Sequence, residues 1–304
     1  MKLAIIDLGT NTCNLLIAEA GNKTYQILYQ GKVGVKLGKG GIHKNQLTIE
    51  AFERATIALK EHLQKIEQYR AEKVITIATS AVRDAENKKE FADHLHRETG
   101  LELEIISGEK EAELIFDGVK LAFGKLQDNT LIMDIGGGSN EFIQTQNNSV
   151  HWKESFPLGM ARIIEQFEIS DPISVPEVLA IEDYFRSGLL NLWEQMSGKN
   201  SIQLIGCSGA FDTIADLIDQ TPPGTKARTF QKIGLEDFYN ISNQVVSSTR
   251  KQREQMVGME PLRVEMIVPA LIFIRLVVEK LGIDNITQTD FALREGVLYE
   301  WINR

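Results

Sequence analysis

Two stretches of this chain place an acid, glycines and hydroxyls at the end of an apolar run. In Leu131-Ile-Met-Asp-Ile-Gly-Gly-Gly-Ser-Asn-Glu-Phe-Ile143 the apolar residues reach Asp134, break into Gly136, Gly137, Gly138 and Ser139, and resume at Glu141. The run before Asp134 reads as a buried strand and the segment from Glu141 as the returning one. Consecutive glycines allow positive φ and let backbone N–H groups turn toward one point. Such a nest binds anions, phosphate above all. Asp134 is placed to hold Mg²⁺ (or Mn²⁺), a cation that bridges phosphate oxygens. Alone, the stretch reads equally well as a glycine-rich hairpin turn with nothing bound.

The second stretch, Leu3-Ala-Ile-Ile-Asp7-Leu-Gly9-Thr10-Asn11-Thr12, repeats the order of apolar strand, acid, glycine and hydroxyl, and Asn14-Leu-Leu-Ile17 supplies the return. Two such loops, each opening a half of the chain, point to a duplicated fold that clamps phosphate. Neither carries the Gly-Lys-Ser/Thr of a P-loop. Neither fits the Gly-x-Gly-x-x-Gly dinucleotide fingerprint, since strands follow them.

Around the loops, the buried strand Val74–Ala78 delivers Thr79-Ser-Ala-Val-Arg83 at its C-terminal end, where α/β sheets place ligand contacts. The planar fork of Arg83 suits a terminal phosphate; a salt bridge to Asp84 or Glu86 is the alternative. Leu103–Ile106 and Ser107-Gly108 lead into a helix from Glu109 to Val119, with Glu109, Glu111 and Glu113 in its first turns. Acids are common at helix N-termini, and residue chemistry does not choose among these three. Thr48 caps a helix whose apolar face is Phe52, Ala55, Leu59, Leu63 and Ile66. His94 and His96 stand two apart and so do not share a helix face, which argues against a metal site there.

Strands are expected over 24–29, 32–37 and 201–205. Long helices are expected over 174–196, 235–256 and 263–281, the last kinked near Pro269. A polar link at 124–129 precedes the second clamp strand.

At 304 residues, a chain passes the point at which single cores divide, so two domains are expected. Hydrophobic residues at 43% and charged residues at 25% are ordinary for a globular protein. Apolar runs fall short of a membrane span, Lys2-Leu-Ala-Ile enters a strand where a signal peptide would stand, and two cysteines, Cys13 and Cys207, are too few for a disulfide framework. A cytoplasmic protein with no membrane partner is expected. The net charge of −9 argues against nucleic acid as a partner and also opposes a polyanionic substrate. One segment is locally positive: from Ala20 to Ile49 there is no acid, but there are Lys23, Lys32, Lys36, Lys39 and Lys44.

In order along the chain, Asp7-Leu-Gly-Thr-Asn-Thr12, Ala78-Thr-Ser-Ala-Val-Arg83-Asp-Ala, Ile105-Ile-Ser-Gly-Glu-Lys-Glu111-Ala and Asp134-Ile-Gly-Gly-Gly-Ser139-Asn-Glu141 resemble the exopolyphosphatase/guanosine pentaphosphate phosphohydrolase (Ppx/GppA) family. Gly206-Cys-Ser-Gly209 and Leu293-Arg-Glu-Gly296 extend the match. The resemblance implies an α/β fold of two ribonuclease H-like domains, of the actin, sugar-kinase and Hsp70 ATPase superfamily, with the active site in the cleft between them. The domains would be 1–124, completed by the terminal helix 293–304, and 125–292.

The activity implied is Mg²⁺-dependent hydrolysis of the terminal phosphoanhydride of inorganic polyphosphate, releasing orthophosphate. The alternative is removal of the 5′-terminal phosphate of guanosine pentaphosphate (pppGpp). Further alternatives are a phosphotransferase and a non-catalytic actin-like sensor. By family pattern Glu111 is the catalytic base, and Glu141 supports water or metal. Arg83, Gly9, Thr10, Asn11, Thr12, Gly136, Gly137, Gly138 and Ser139 bind phosphate, and Asp134 with Asp7 holds the metal. Relatives often dimerise, which implies a homodimer. Phe211 replaces a smaller family residue after the Gly206 turn, and its bulk is expected to disfavour a nucleoside there.

Overall fold

The structure, a computed structural model, describes residues 1–200 and 202–304. The chain forms two units: Met1–Leu121 with Gly136–Gly138 and Ala292–Arg304, and Ala122–Ile135 with Ser139–Phe291.

The first unit opens with an antiparallel meander, β1 (Lys2–Leu8), β2 (Thr12–Ala20) and β3 (Tyr25–Gly34). Next come α1 (Ile49–Tyr69), β4 (Lys73–Ala78), the single-turn α2 (Ser80–Arg83), α3 (Lys88–Thr99), β5 (Leu103–Ile105) and α4 (Gly108–Phe123). Strands β4 and β5 add to β1 in parallel, giving the order β3-β2-β1-β4-β5. One face of the sheet, with Ala4, Ile6, Leu8, Cys13, Leu15 and Ile17, is buried with Ala51, Ala55, Ala58 and Leu59 of α1. Thr48 caps α1 as expected, its side chain accepting from the Ala51 N–H at 3.3 Å.

The second unit repeats the plan. Its meander is β6 (Thr130–Ile135), β7 (Asn140–Gln146) and β8 (Ser149–Phe156), followed by α5 (Met160–Gln166), α6 (Val175–Gly188), α7 (Leu190–Met196) and β9 (Gln203–Cys207). Then come α8 (Gly209–Asp219), β10 (Gln231–Ile233), α9 (Leu235–Val246), α10 (Arg250–Glu254), α11 (Ile267–Leu281) and β11 (Asn285–Thr289). The sheet order is β10-β11-β9-β6-β7-β8, with β9 parallel to β6 and β11 parallel to β9. Leu131, Met133 and Phe142 of its sheet share a core with Phe185, Phe211 and Phe273.

The chain returns to the first unit as α12 (Leu293–Ile302), which packs against β1 and β2. It also meets α4 backbone to backbone. A methyl group on Gly118 would overlap the Ala292 carbonyl, and one on Gly296 the Leu114 carbonyl. Lys110 of α4 and Glu300 of α12 form an ion pair along the same seam.

Several local expectations need correcting. The helix expected over 174–196 breaks at Leu189, and that over 235–256 breaks at Ser247–Thr249. A capping box at Thr249, answered by Gln252, starts the new helix α10. Pro269 lies in the first turn of α11, where its missing N–H is tolerated, and marks a helix start where a kink was expected. The strand expected over 32–37 is the end of β3, which stops at Gly34. Of the strand expected over 201–205, Ser201 lies outside the described residues.

Candidate active site

In the first unit, β1 carries Asp7 to the edge of a tight turn closed by the Gly9 N–H bonding to the Thr12 carbonyl at 2.9 Å. Asn14, directly across on β2, donates its side-chain amide to Asp7 Oδ2 at 3.0 Å. Burial pushes the Asp7 carboxyl above its ordinary range, against the pull of that amide and of the Arg294 charge. Thr10 and Thr12 are buried.

The segment Gly136–Gly138 belongs to this unit by its contacts. A Cβ on Gly137 would lie 2.8 Å from Asn11 Cγ and 3.0 Å from Thr10 Cβ; one on Gly138 would lie 2.6 Å from Thr10 Oγ1 and 2.8 Å from Ser80 Cβ. None of Gly136–Gly138 takes a positive φ, which corrects the expectation that these consecutive glycines use left-handed backbone. At Gly137 and Gly138 the requirement is close approach: the loop backbone lies directly against Thr10, Asn11 and Ser80, with no room for a side chain.

Strand β4 ends beside this cradle, and α2 turns Arg83 toward the start of α4. There Arg83 Nη1 donates to Glu111 Oε2 at 2.7 Å, while its Nε lies 3.4 Å from Asp84. Glu111 is buried, whereas Glu109 and Glu113 are exposed. Burial and the bond to Arg83 therefore distinguish three acids that look alike in sequence. Ser107 supports the helix start by accepting from the Lys110 N–H at 3.1 Å.

The basic segment joins the same loop. The Val35 and Lys36 N–H groups bond to the Asn11 carbonyl, at 2.8 and 3.1 Å, and the Leu37 N–H to that of Thr10, at 2.7 Å. Lys36 takes φ 41°, and the Arg54 guanidinium bonds the Val35 and Lys36 carbonyls.

In the second unit, β6 and β7 set Asp134 directly opposite Glu141. Both are buried, Glu141 to 1% exposure. Ser139 Oγ donates to Glu141 Oε1 at 2.6 Å and Ser155 Oγ to the same oxygen at 2.7 Å. Side chains directly opposed across antiparallel strands are near neighbours, and like charges there repel. Two opposed carboxylates supply the hard oxygen ligands that suit a divalent cation such as Mg²⁺. Ser208 ties the Gly206 turn to this edge, bonding the Ile135 carbonyl at 2.9 Å.

Two residues here were not picked out by the sequence. Ser155 lies on the neighbouring strand, and Arg263 packs its guanidinium on Gly209 at the start of α8, among Asp134, Asp212 and Glu260. Burial pulls Arg263 below its ordinary range. Phe211 is wholly in the core, its ring filling the space beside Gly206. Cys13 and Cys207 are buried free thiols, and burial pushes Cys13 up. His94 bonds Thr56 while His96 turns to Leu101 and Glu102, so the pair does not converge.

With this geometry, the profile of the Ppx/GppA phosphatase family matches residues 16–304. The chain belongs to that family. A crystal structure of an exopolyphosphatase from Cytophaga hutchinsonii is similar throughout, with a TM-score of 0.94 and 38% identity, covering 100% of this chain and 98% of that one. Exopolyphosphatase 2 of Mycobacterium tuberculosis is 28% identical over 97% of this chain and 97% of its own length. A bifunctional 3-dehydroquinate synthase/phosphatase of Fusobacterium nucleatum is 29% identical over 98% of this chain, which spans 46% of that longer protein. The fold is thus the two-domain, actin-like α/β architecture of the family. No helix among the described residues is long and apolar enough to cross a membrane.

Proposed function

We propose that this Ppx/GppA member is an exopolyphosphatase, hydrolysing the terminal phosphoanhydride of inorganic polyphosphate and releasing orthophosphate. The observation that carries the reading is the close approach of Gly137 and Gly138 to Thr10, Asn11 and Ser80 in the unit that also holds the Arg83–Glu111 pair.

The Gly9 turn and the backbone N–H groups of Gly136–Gly138 and Ser139 receive the oxygens of the terminal phosphoryl group, with the side chains of Thr10, Asn11 and Thr12. Arg83 presents further N–H donors in a fixed fork, which suits charge spreading over those oxygens in the transition state. Glu111 orients water and takes its proton as the oxygen bonds to phosphorus. The bridging P–O bond breaks, and its electron pair stays with the shortened chain. Asp134 and Glu141, with Asp7 as the matching acid of the first unit, are the residues to hold Mg²⁺ (or Mn²⁺). When bound, the ion supplies charge neutralisation on the phosphate oxygens. The lysines following the Thr10 loop offset the acidic field of the protein for an anionic chain. Two buried thiols suit a reducing cytoplasm, and a homodimer is proposed from the resemblance.

The test is orthophosphate release with and without Mg²⁺ from long-chain polyphosphate, tripolyphosphate and pppGpp side by side. Release favouring polyphosphate is expected. Because Phe211 lies in the core, pppGpp is the informative competitor; preference for it would reverse the substrate assignment. Release from none of the three would overturn the hydrolase.

A further inference from the structure

The two units carry the same construction with one chemical difference. Across the first sheet, Asp7 faces Asn14, and Asn14 faces Lys32. Across the second, Asp134 faces Glu141, and Glu141 faces Ser155. In the first unit the neighbour of the acid is an amide that donates a hydrogen bond to it. In the second the neighbour is another acid, which adds repulsion and needs donors from elsewhere. Ser139 is one donor, two residues away in the loop. Ser155 is another, reaching Oε1 from the adjacent strand at 2.7 Å.

We infer that Ser155 is a positioning residue for hydrolysis, its hydroxyl fixing the orientation of the Glu141 carboxyl group. An O–H···O⁻ bond is among the stronger hydrogen bonds. Ser139 and Ser155 approach from different parts of the sheet and converge on one oxygen. They therefore limit rotation of the carboxyl group. The inference rests on the proposed role of Glu141 in the active site, and the experiment separates the two.

Ser155→Val and Ser155→Thr are close in size and both suit a strand, but only threonine keeps the hydroxyl. For Ser155→Val, kcat for polyphosphate is expected to fall about tenfold with KM unchanged. Ser155→Thr is expected to keep the wild-type kcat. A structural role alone would lower the melting temperatures and leave kcat unchanged. Ser155→Ala, which adds no volume, repeats the comparison should valine prevent folding. Equal kcat values for all variants, with Glu141→Gln inactive, would overturn the role of Ser155 and leave that of Glu141. A fully active Glu141→Gln would instead remove the reading on which the inference stands.

Discussion

Replacing Gly138 with alanine adds one methyl group where the first unit has no space. That carbon would lie 2.6 Å from Thr10 Oγ1 and 2.8 Å from Ser80 Cβ. Carbon contacts settle at about 3.5–4.0 Å, so the loop or its neighbours must move by roughly 0.7–1 Å. Overpacking of this kind costs about 1–3 kcal/mol, which in a chain of this size lowers Tm by about 2–4 °C per kcal/mol. The larger effect is kinetic: a misplacement of about 1 Å at a site built for alignment can cost about 100-fold in rate. Gly138→Ala is therefore expected to fold, melt a few degrees lower and lose about two orders of magnitude in kcat for phosphate release. Gly100→Ala is the control. Gly100 has φ 72° with nothing within 4 Å of the added carbon, so alanine there costs stability of about 1 kcal/mol and no activity. Steady-state kinetics and thermal melts on both variants decide the matter. A wild-type kcat for Gly138→Ala would refute the close-approach argument. An equal loss in Gly100→Ala would show that the assay reads stability alone.

Glu111→Gln should keep the melting curve and lose most hydrolysis, and a near wild-type rate in a phosphate-release assay would remove the base assignment. Arg228 is buried in contact with Asp216 at 2.8 Å and Asp219 at 3.0 Å. Arg228→Met leaves those acids without their arginine and should destabilise the second unit by about 3–5 kcal/mol in denaturant unfolding; a loss below 1 kcal/mol would count against the buried pairing. Burial and the nearby Glu300 raise Asp117 to about 6 from an ordinary 3.8, against the pull of Lys120 and Lys110. The folded state thus holds this proton more tightly than the unfolded chain. Its stabilising contribution is complete below about pH 4 and is lost as the pH rises through about 6. Melting curves between those values should show the decline, and Asp117→Asn should flatten it; an unchanged slope would dismiss Asp117 as its source.

Much of the architecture was legible because its signals are local. Two acid-and-glycine loops with the same spacing between strands announced the duplication, and Thr48 announced its helix. The site was legible only in part, because its selection depends on partners distant in sequence. Helical spacing points Glu109, Glu111 and Glu113 in different directions, but only the long-range placement of α4 beside α2 decides that Glu111 meets Arg83. Ser155 and Arg263 belong to no short motif; strand register and the Gly209 turn bring them into place. The glycines were recognised for the wrong physical reason, since φ is a local property and the Thr10–Ser80 surface that excludes a side chain at Gly138 is assembled from two distant segments. The size of Phe211 was visible in the sequence, but its packing into the core beside Gly206 was not.

The contact of Gly118 with Gly296 bears on the order in which the protein comes into being. Helix α12 lies over β1 and β2 and against α4, but it leaves the ribosome only after the entire second unit. At about 5–20 residues per second, the newly made first unit waits on the order of ten seconds with that apolar face uncovered and the helix bearing Glu111 unsupported. During synthesis the second unit has nearly all of its chain before the first has its last helix. Maturation of the phosphate cradle is therefore tied to synthesis of α12, and a nascent chain arrested near residue 290 should expose the surface that chaperones recognise.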